Sequence, residues 1–391
     1  MSALAATRPI SAFRAPGANE WLALTEDEGA TVQQEEARKA RDALKNMLLA
    51  SLQMQHLAVL AGSGCSLSAD GPSMMDLWND AVGKVPTRST RAIAAKVNHD
   101  LSDKNLEAFL SRIDAFLHVK EDKKVTAFLN ASKKVILKKC SGFLKTEKLA
   151  AHKTFLHRLS RRRVRDQRLK VFTTNYDLCF ERAAGALGGV ALDGFSFAAP
   201  RRYDPRFFSY DIVRRPRSGD DLGSYLEGVF LLYKLHGSVN WARVDGGVIF
   251  EKVEPEPEEA CLIYPASGKY QQSFKQPHLE SMAQYLAAVR EPSTCVLVVG
   301  FGFNDDHLAE PLLAAARSNP HLRLIIVDPG AEAKTANGNG YWTQFSELGV
   351  HGEDIWFIAA GFEDFAQMIP DLKSLTPADT LMKAIRGVTR E

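Results

Sequence analysis

Five short stretches of this chain carry the kinds of groups that bind or transform a small polar ligand. Gly62-Ser63-Gly64-Cys65-Ser66 follows directly on the apolar run 56–61. Glycine at a strand end removes the Cβ that would keep a phosphate from backbone N–H groups. The three-glycine dinucleotide pattern is not met, because Leu67 stands at the third position, so a tight turn without a ligand remains an equal reading. Val171-Phe172-Thr173-Thr174-Asn175-Tyr176-Asp177 ends an apolar run in hydroxyls, an amide and a carboxylate. Asp177 fits a helix cap, but capping leaves Asn175 unexplained. In Lys234-Leu235-His236-Gly237-Ser238 a histidine meets a glycine; imidazole titrates near neutrality and suits general-base work, with a purely structural histidine as the plain alternative. Val299-Gly300-Phe301-Gly302-Phe303-Asn304-Asp305-Asp306-His307 repeats the theme: Asn304 or Asp305 caps a helix, and His307 reads as a helix-surface or supporting residue. Asp328-Pro329-Gly330 either holds a ribose hydroxyl or turns the chain.

Such groups need a sheet to hold them. Besides 56–61, short apolar runs recur at 170–174, 230–235, 261–264, 294–300, 322–328 and 355–359. They lack clean alternation, as strands buried on both faces do. Helical patterns at 177–186, 279–290 and 306–317 separate several of them. The class expected is α/β, a doubly wound Rossmann-like parallel sheet with a helical insertion, with ligands at the carboxyl ends of the strands. The boundaries read as an N-terminal arm (1–30), disordered or ordered only by a neighbouring subunit; a catalytic core (31–74 and 166–375); the insertion (75–165); and a C-terminal tail (376–391).

The chain has 391 residues, 49 Lys+Arg against 47 Asp+Glu, and 45% hydrophobic residues. That apolar content excludes disorder of the whole chain. No window approaches 18 consecutive apolar residues, and the first residues lack a secretory apolar core, so a cytoplasmic protein without a membrane span is expected. The five cysteines (Cys65, Cys140, Cys179, Cys261, Cys295) lie far apart, which excludes a four-cysteine zinc site and leads to an expectation of no metal. A net charge of +2 gives no global support for binding polyanions, although Arg158, Arg161, Arg162, Arg163, Arg165, Arg168 and Lys170 form one basic run, and Arg201, Arg202, Arg214, Arg215 and Arg217 another. These read as a solvated face or a subunit interface.

In this order, Gly62-Ser63-Gly64-Cys65-Ser66, Thr173-Thr174-Asn175-Tyr176-Asp177, Leu235-His236-Gly237-Ser238 and Gly300-Phe301-Gly302-Phe303-Asn304-Asp305 resemble the motifs of the sirtuin-like family over residues 55 to 360. The resemblance implies NAD as substrate. It implies catalytic roles for His236 as general base and for Asn175 and Asp177 around the nicotinamide ribose and a water. Cofactor contacts would fall on Gly62, Ser63, Gly64, Ser66, Thr174, Gly300, Gly302 and Asp328.

Two departures from the protein-deacylating members matter. Only Cys261 and Cys295 follow the histidine, and Tyr176 and Gly237-Ser238-Val239-Asn240-Trp241 look like the zinc-free bacterial branch that cleaves NAD in antiphage defence. The expected function is therefore an NAD glycohydrolase giving nicotinamide and ADP-ribose. An NAD-dependent protein deacylase, or a nucleic-acid-binding or nuclease subunit, is the alternative. With about 30 residues after the last strand, too few for a sensor domain, the resemblance implies a homo-oligomer triggered by a HerA-type hexameric ATPase, which would supply any DNA contact.

Overall fold

The computed structural model describes residues 12–24, 31–162, 166–215, 225–244, 247–264 and 276–371. Its strands in chain order are β1 (Ala12–Arg14), β2 (Leu22–Ala23), β3 (His56–Ala61), β4 (Lys170–Thr173), β5 (Val190–Leu192), β6 (Val229–Lys234), β7 (Gly237–Arg243), β8 (Ile249–Glu251), β9 (Ala260–Leu262), β10 (Thr294–Val299), β11 (Leu322–Val327) and β12 (Ile355–Ala359). Among the described residues, nine form one sheet in the order β2-β1-β12-β11-β10-β3-β4-β6-β5. From β12 to β5 every neighbouring pair is parallel. Both faces carry helices, which is why the inner strands are buried along their length: β6 and β10 expose nothing. The doubly wound α/β fold is as expected.

The parallel part of the sheet starts in its middle at β3, runs through β4 to the edge strand β5, comes back one place to β6, and then crosses to lay β10 on the other side of β3. The strand order reverses between β3 and β10. Loops leaving the carboxyl ends of two such strands diverge and leave a crevice, the usual ligand position in open α/β sheets.

Three expectations need correction. Residues 12–23 are not a detached arm: β1 pairs antiparallel with β12, Phe13 is buried, and Arg14 donates to the Ser346 hydroxyl. A three-residue strand has too little pattern to be read against its polar neighbours. The run at 261–264 does not join the main sheet; β9 pairs with β7, which pairs with β8, in a separate antiparallel sheet. The insertion is also shorter at its end. Trp78, Phe109, Ile113, Val125 and Ile136 share a core with Val239 and Leu262, whereas the helix Ala150–Leu159 buries Phe155 and Leu159 in the main core with Val59 and Val171. The expected tail (376–391) lies outside the described residues.

Much of the first basic run is used inside the fold, whereas Arg202, Arg214 and Arg215 of the second are exposed. Arg162 is buried and donates to the carbonyls of Leu52, Met54, Gln55 and Gln167. Arg158 caps the carbonyls of Ala366, Gln367 and Ile369. Arg168 forks onto Asp211, and Arg201 bridges Asp193 and Glu251. Arg163, Arg165 and Arg217 lie outside the described residues.

Two buried histidines set an acid limit on stability. His152 lies fully buried between the rings of Phe180 and Phe362, and burial pushes its pKa down to about 4; burial does the same to His278. Unfolding returns both to about 6.5. Below that pH the unfolded chain binds the extra protons, so their contribution is complete above about pH 6.5 and lost progressively towards pH 4. Urea unfolding should show a loss on the order of 2 kcal/mol per histidine between pH 7.5 and pH 5. His152→Leu should shrink that difference; an unchanged stability across this range would contradict the assignment.

Candidate active site

The crevice at the strand reversal is a cleft open to solvent and lined among others by Ser63, Ser66, Thr174, Asn175, Asp177, His236, Gly300, Gly302 and Asp305. Four of the five chemistry-bearing stretches thus meet in one place. The fifth does not: Asp328 is outside the lining, its carboxylate held by the Gly330 N–H and by Lys334 Nζ at 2.6 Å.

The glycine turn is built first by contact between two loops. An added Cβ on Gly62 would sit 2.5 Å from the Gly300 carbonyl oxygen, and one on Gly64 2.6 Å from the Gly300 Cα. The Gly62 and Gly64 N–H groups donate to Val299 and Gly300 carbonyls, and those of Cys65 and Ser66 to Gly62 and Ser63 carbonyls. These four donors are thus engaged within the protein, and the glycines are needed where β3 and β10 give way to their loops. The Ser63 and Ser66 side chains remain at the cleft wall.

The stretch after β4 is tied to that turn through side chains. Asn175 Nδ2 donates to the Gly62 carbonyl at 2.9 Å and to Ser66 Oγ at 2.8 Å. Ser66 Oγ in turn donates to Asp177 Oδ2 at 2.6 Å, and the other Asp177 oxygen accepts the Cys179 N–H at 3.0 Å, where the next helix (Cys179–Ala186) begins. Asp177 therefore combines the helix-start role with a bond to the loop across the cleft. The Asn175 bonds to Gly62 and Ser66 both use its Nδ2, and the residue lines the cleft. A short charge-assisted bond, buried, is among the stronger kinds.

Sequence reasoning passed over Lys234, at the end of β6. Its ammonium is 1% exposed and donates to the carbonyls of Tyr176 and Asp177, with Glu181 Oε1 at 3.2 Å. It holds the backbone of the Asn175 stretch from beneath. The signal was present: one charge inside the apolar run Val-Phe-Leu-Leu-Tyr-Lys-Leu. Tyr176 braces the same stretch by donating to the Ile263 carbonyl at 2.6 Å, and burial pushes its phenol well above the ordinary range, so it stays protonated. Cys140, on the cleft wall, has a thiol pushed up to about 12 by burial and is no nucleophile near neutrality.

His236 lies in the two-residue turn between β6 and β7 and is 3% exposed. Its Nε2 lies 3.1 Å from Nε2 of His307, in the first turn of the helix Asp306–Ser318, and the two rings stack at 27°. One proton lies between the two nitrogens, so one imidazole donates to the other. His307 is therefore no surface residue but the direct partner of His236. Asp305, the residue before that helix, brings a carboxylate oxygen within 4.8 Å of a ring nitrogen of each histidine. With 69 positions separating Asp305 from His236, sequence spacing has no means of showing this trio.

A family model described as the SIR2-like domain matches residues 169–346, which include Asn175, Asp177, His236 and His307 but not the Gly62 turn. No curated protein matches the chain. Among solved structures, a Sir2 homologue mutant complexed with 2'-O-acetyl ADP ribose is similar at 14% identity over 84% of this chain and 96% of its own, with a TM-score of 0.42. A Sir2 homologue complexed with NAD is similar at 13% identity over 83% and 91%, with a TM-score of 0.41.

Proposed function

We propose that this cleft binds NAD and hydrolyses its nicotinamide–ribose bond, giving nicotinamide and ADP-ribose. The observation that carries the reading is that His236 and Asn175, which follow the neighbouring strands β6 and β4, line one cleft inside the stretch that matches the SIR2-like domain. As the glycosidic bond breaks, positive charge develops on the ribose ring and nicotinamide leaves. Water adds to the anomeric carbon, and the proton it sheds goes to His236, directly or through a ribose hydroxyl. With His236 donating to His307, its second nitrogen carries the lone pair that takes up this proton, and the resulting imidazolium stays hydrogen-bonded to a neutral partner. The Asn175 carbonyl oxygen orients the water, and Asp177 adds negative charge on the side where the ribose turns cationic.

The deciding experiment incubates the purified chain with NAD and separates the products. Free nicotinamide and ADP-ribose in equal amounts support hydrolysis. Turnover only with an acylated peptide, leaving an acylated ADP-ribose, would replace it with deacylation.

The antiphage role, the homo-oligomer and the HerA-type ATPase partner are proposals resting on the resemblance of the motifs. Chain mixed with a HerA-type ATPase should form one larger particle and change its NAD turnover; a switch from 1% to 99% active needs roughly 5.5 kcal/mol of differential binding. Mass measurement and turnover, each with and without the ATPase, check this. A monomer with full activity alone would end the proposal.

A further inference from the structure

We infer that His236, Asp305 and His307 form a site for a divalent transition-metal ion, and that an ion there switches the proposed base off. The second half rests on the NAD-cleaving reading; the first stands without it. Ligand atoms on one tetrahedral zinc-like ion lie about 2.0–2.2 Å from the metal, hence roughly 3.3 Å from one another. The two Nε2 atoms are already 3.1 Å apart, and the Asp305 carboxylate lies within 4.8 Å of a ring nitrogen of each histidine, a gap that turning its side chain can close. Two imidazoles and one carboxylate suit zinc, cobalt or nickel better than magnesium or calcium, which prefer oxygen ligands throughout. Both histidines are buried and come from firm parts of the fold, the turn between β6 and β7 and the first turn of a helix. Asp305 lies at the cleft wall, so a fourth position would face the ligand space.

Occupancy changes the acid–base chemistry in a defined way. Without an ion, the pair shares one proton between its Nε2 atoms, and His236 can keep a lone pair on its second nitrogen. With an ion on Nε2, the neutral imidazole carries its proton on Nδ1, and no lone pair remains. Whichever nitrogen serves as base, the ion removes it.

The test uses the full chain, stripped with EDTA and exchanged into metal-free buffer. Zinc is titrated calorimetrically, and cobalt is followed by the visible absorption of a four-coordinate ion. One ion per chain is expected. His307→Gln and Asp305→Asn should weaken it by at least the 10–100-fold that loss of even an outer-shell partner costs (about this range). In wild-type protein, NAD turnover should fall with the same zinc midpoint and return with EDTA. Absence of saturable one-to-one binding in wild-type protein overturns the site, and so does unchanged binding in both variants. Turnover that requires zinc overturns the inhibitory half. An ion that binds as expected to a chain that never cleaves NAD, with or without the ATPase, supports the site and removes the proposed function.

Discussion

His236→Ala should lower NAD cleavage by about 10²–10⁴-fold, the usual span for losing a general base, with the fold retained. The residue is 3% exposed and its main chain carbonyl, not its ring, accepts the Ile263 N–H that joins β6 to β9, so the backbone frame survives the change. What is lost is the ring that receives the proton, and His307 is left without its 3.1 Å partner. Asn175→Ala should also lower cleavage, for two reasons that a second variant separates. It removes the carbonyl oxygen, and it cuts the Nδ2 bonds to Gly62 and Ser66 that hold the glycine turn. Asn175→Asp keeps an oxygen for the ligand but loses the donor. If Ala and Asp are equally impaired, the tether matters most; if Asp is much milder, the ligand-facing oxygen does. Product rates by chromatography, with circular dichroism as the control for folding, decide this. Wild-type rates in both His236→Ala and Asn175→Ala would refute the site.

Gly237→Ala should disrupt folding around the site more than any other one-atom change considered. Gly237 has φ +85°, and an added Cβ would lie 2.0 Å from the Cys261 carbonyl oxygen, a backbone atom of the paired strand β9. Strain at such a φ costs on the order of 1–3 kcal/mol, and forcing overpacked backbone apart costs a similar amount again. The displaced residue is bonded directly to His236, so activity should fall further than stability alone requires. Gly247→Ala isolates the two effects: φ is +79° there, but nothing lies within 4 Å of the added Cβ. Thermal unfolding should register strain alone at Gly247 and strain plus clash at Gly237. Equal losses at the two positions would contradict the close-approach account.

Much of this was legible without coordinates, and for a physical reason. The strands of the main sheet are buried on both faces, so they appear as unbroken apolar runs, and each interruption by Gly, Asn, Asp or His marks a strand end. That local rule located the Gly62 turn, Asn175, Asp177, His236 and Gly300, because a strand and the loop leaving it are neighbours in sequence. Locality also explains the errors. β1 is three residues long, and its place beside β12 depends on residues 343 positions or more away. β9 has the composition of a core strand but pairs outside the main sheet, because Gly237 turns the chain away and β7 takes it as partner.

Tertiary structure alone decided what each group does with its atoms. Only the reversal of strand order between β3 and β10 makes Gly62 and Gly64 meet Gly300, which gives those glycines a packing reason quite apart from any ligand. Lys234 becomes an anchor because a buried ammonium needs acceptors, and the Asn175 stretch supplies carbonyls at the right place. His307 read as a helix-surface or supporting residue, and Asn304 or Asp305 as a cap; the structure gives His307 the supporting place. The pairing of His307 and Asp305 with His236 needs β6 and the helix after β10 to end at the same edge of the sheet, a long-range fact that no local pattern of residues encodes.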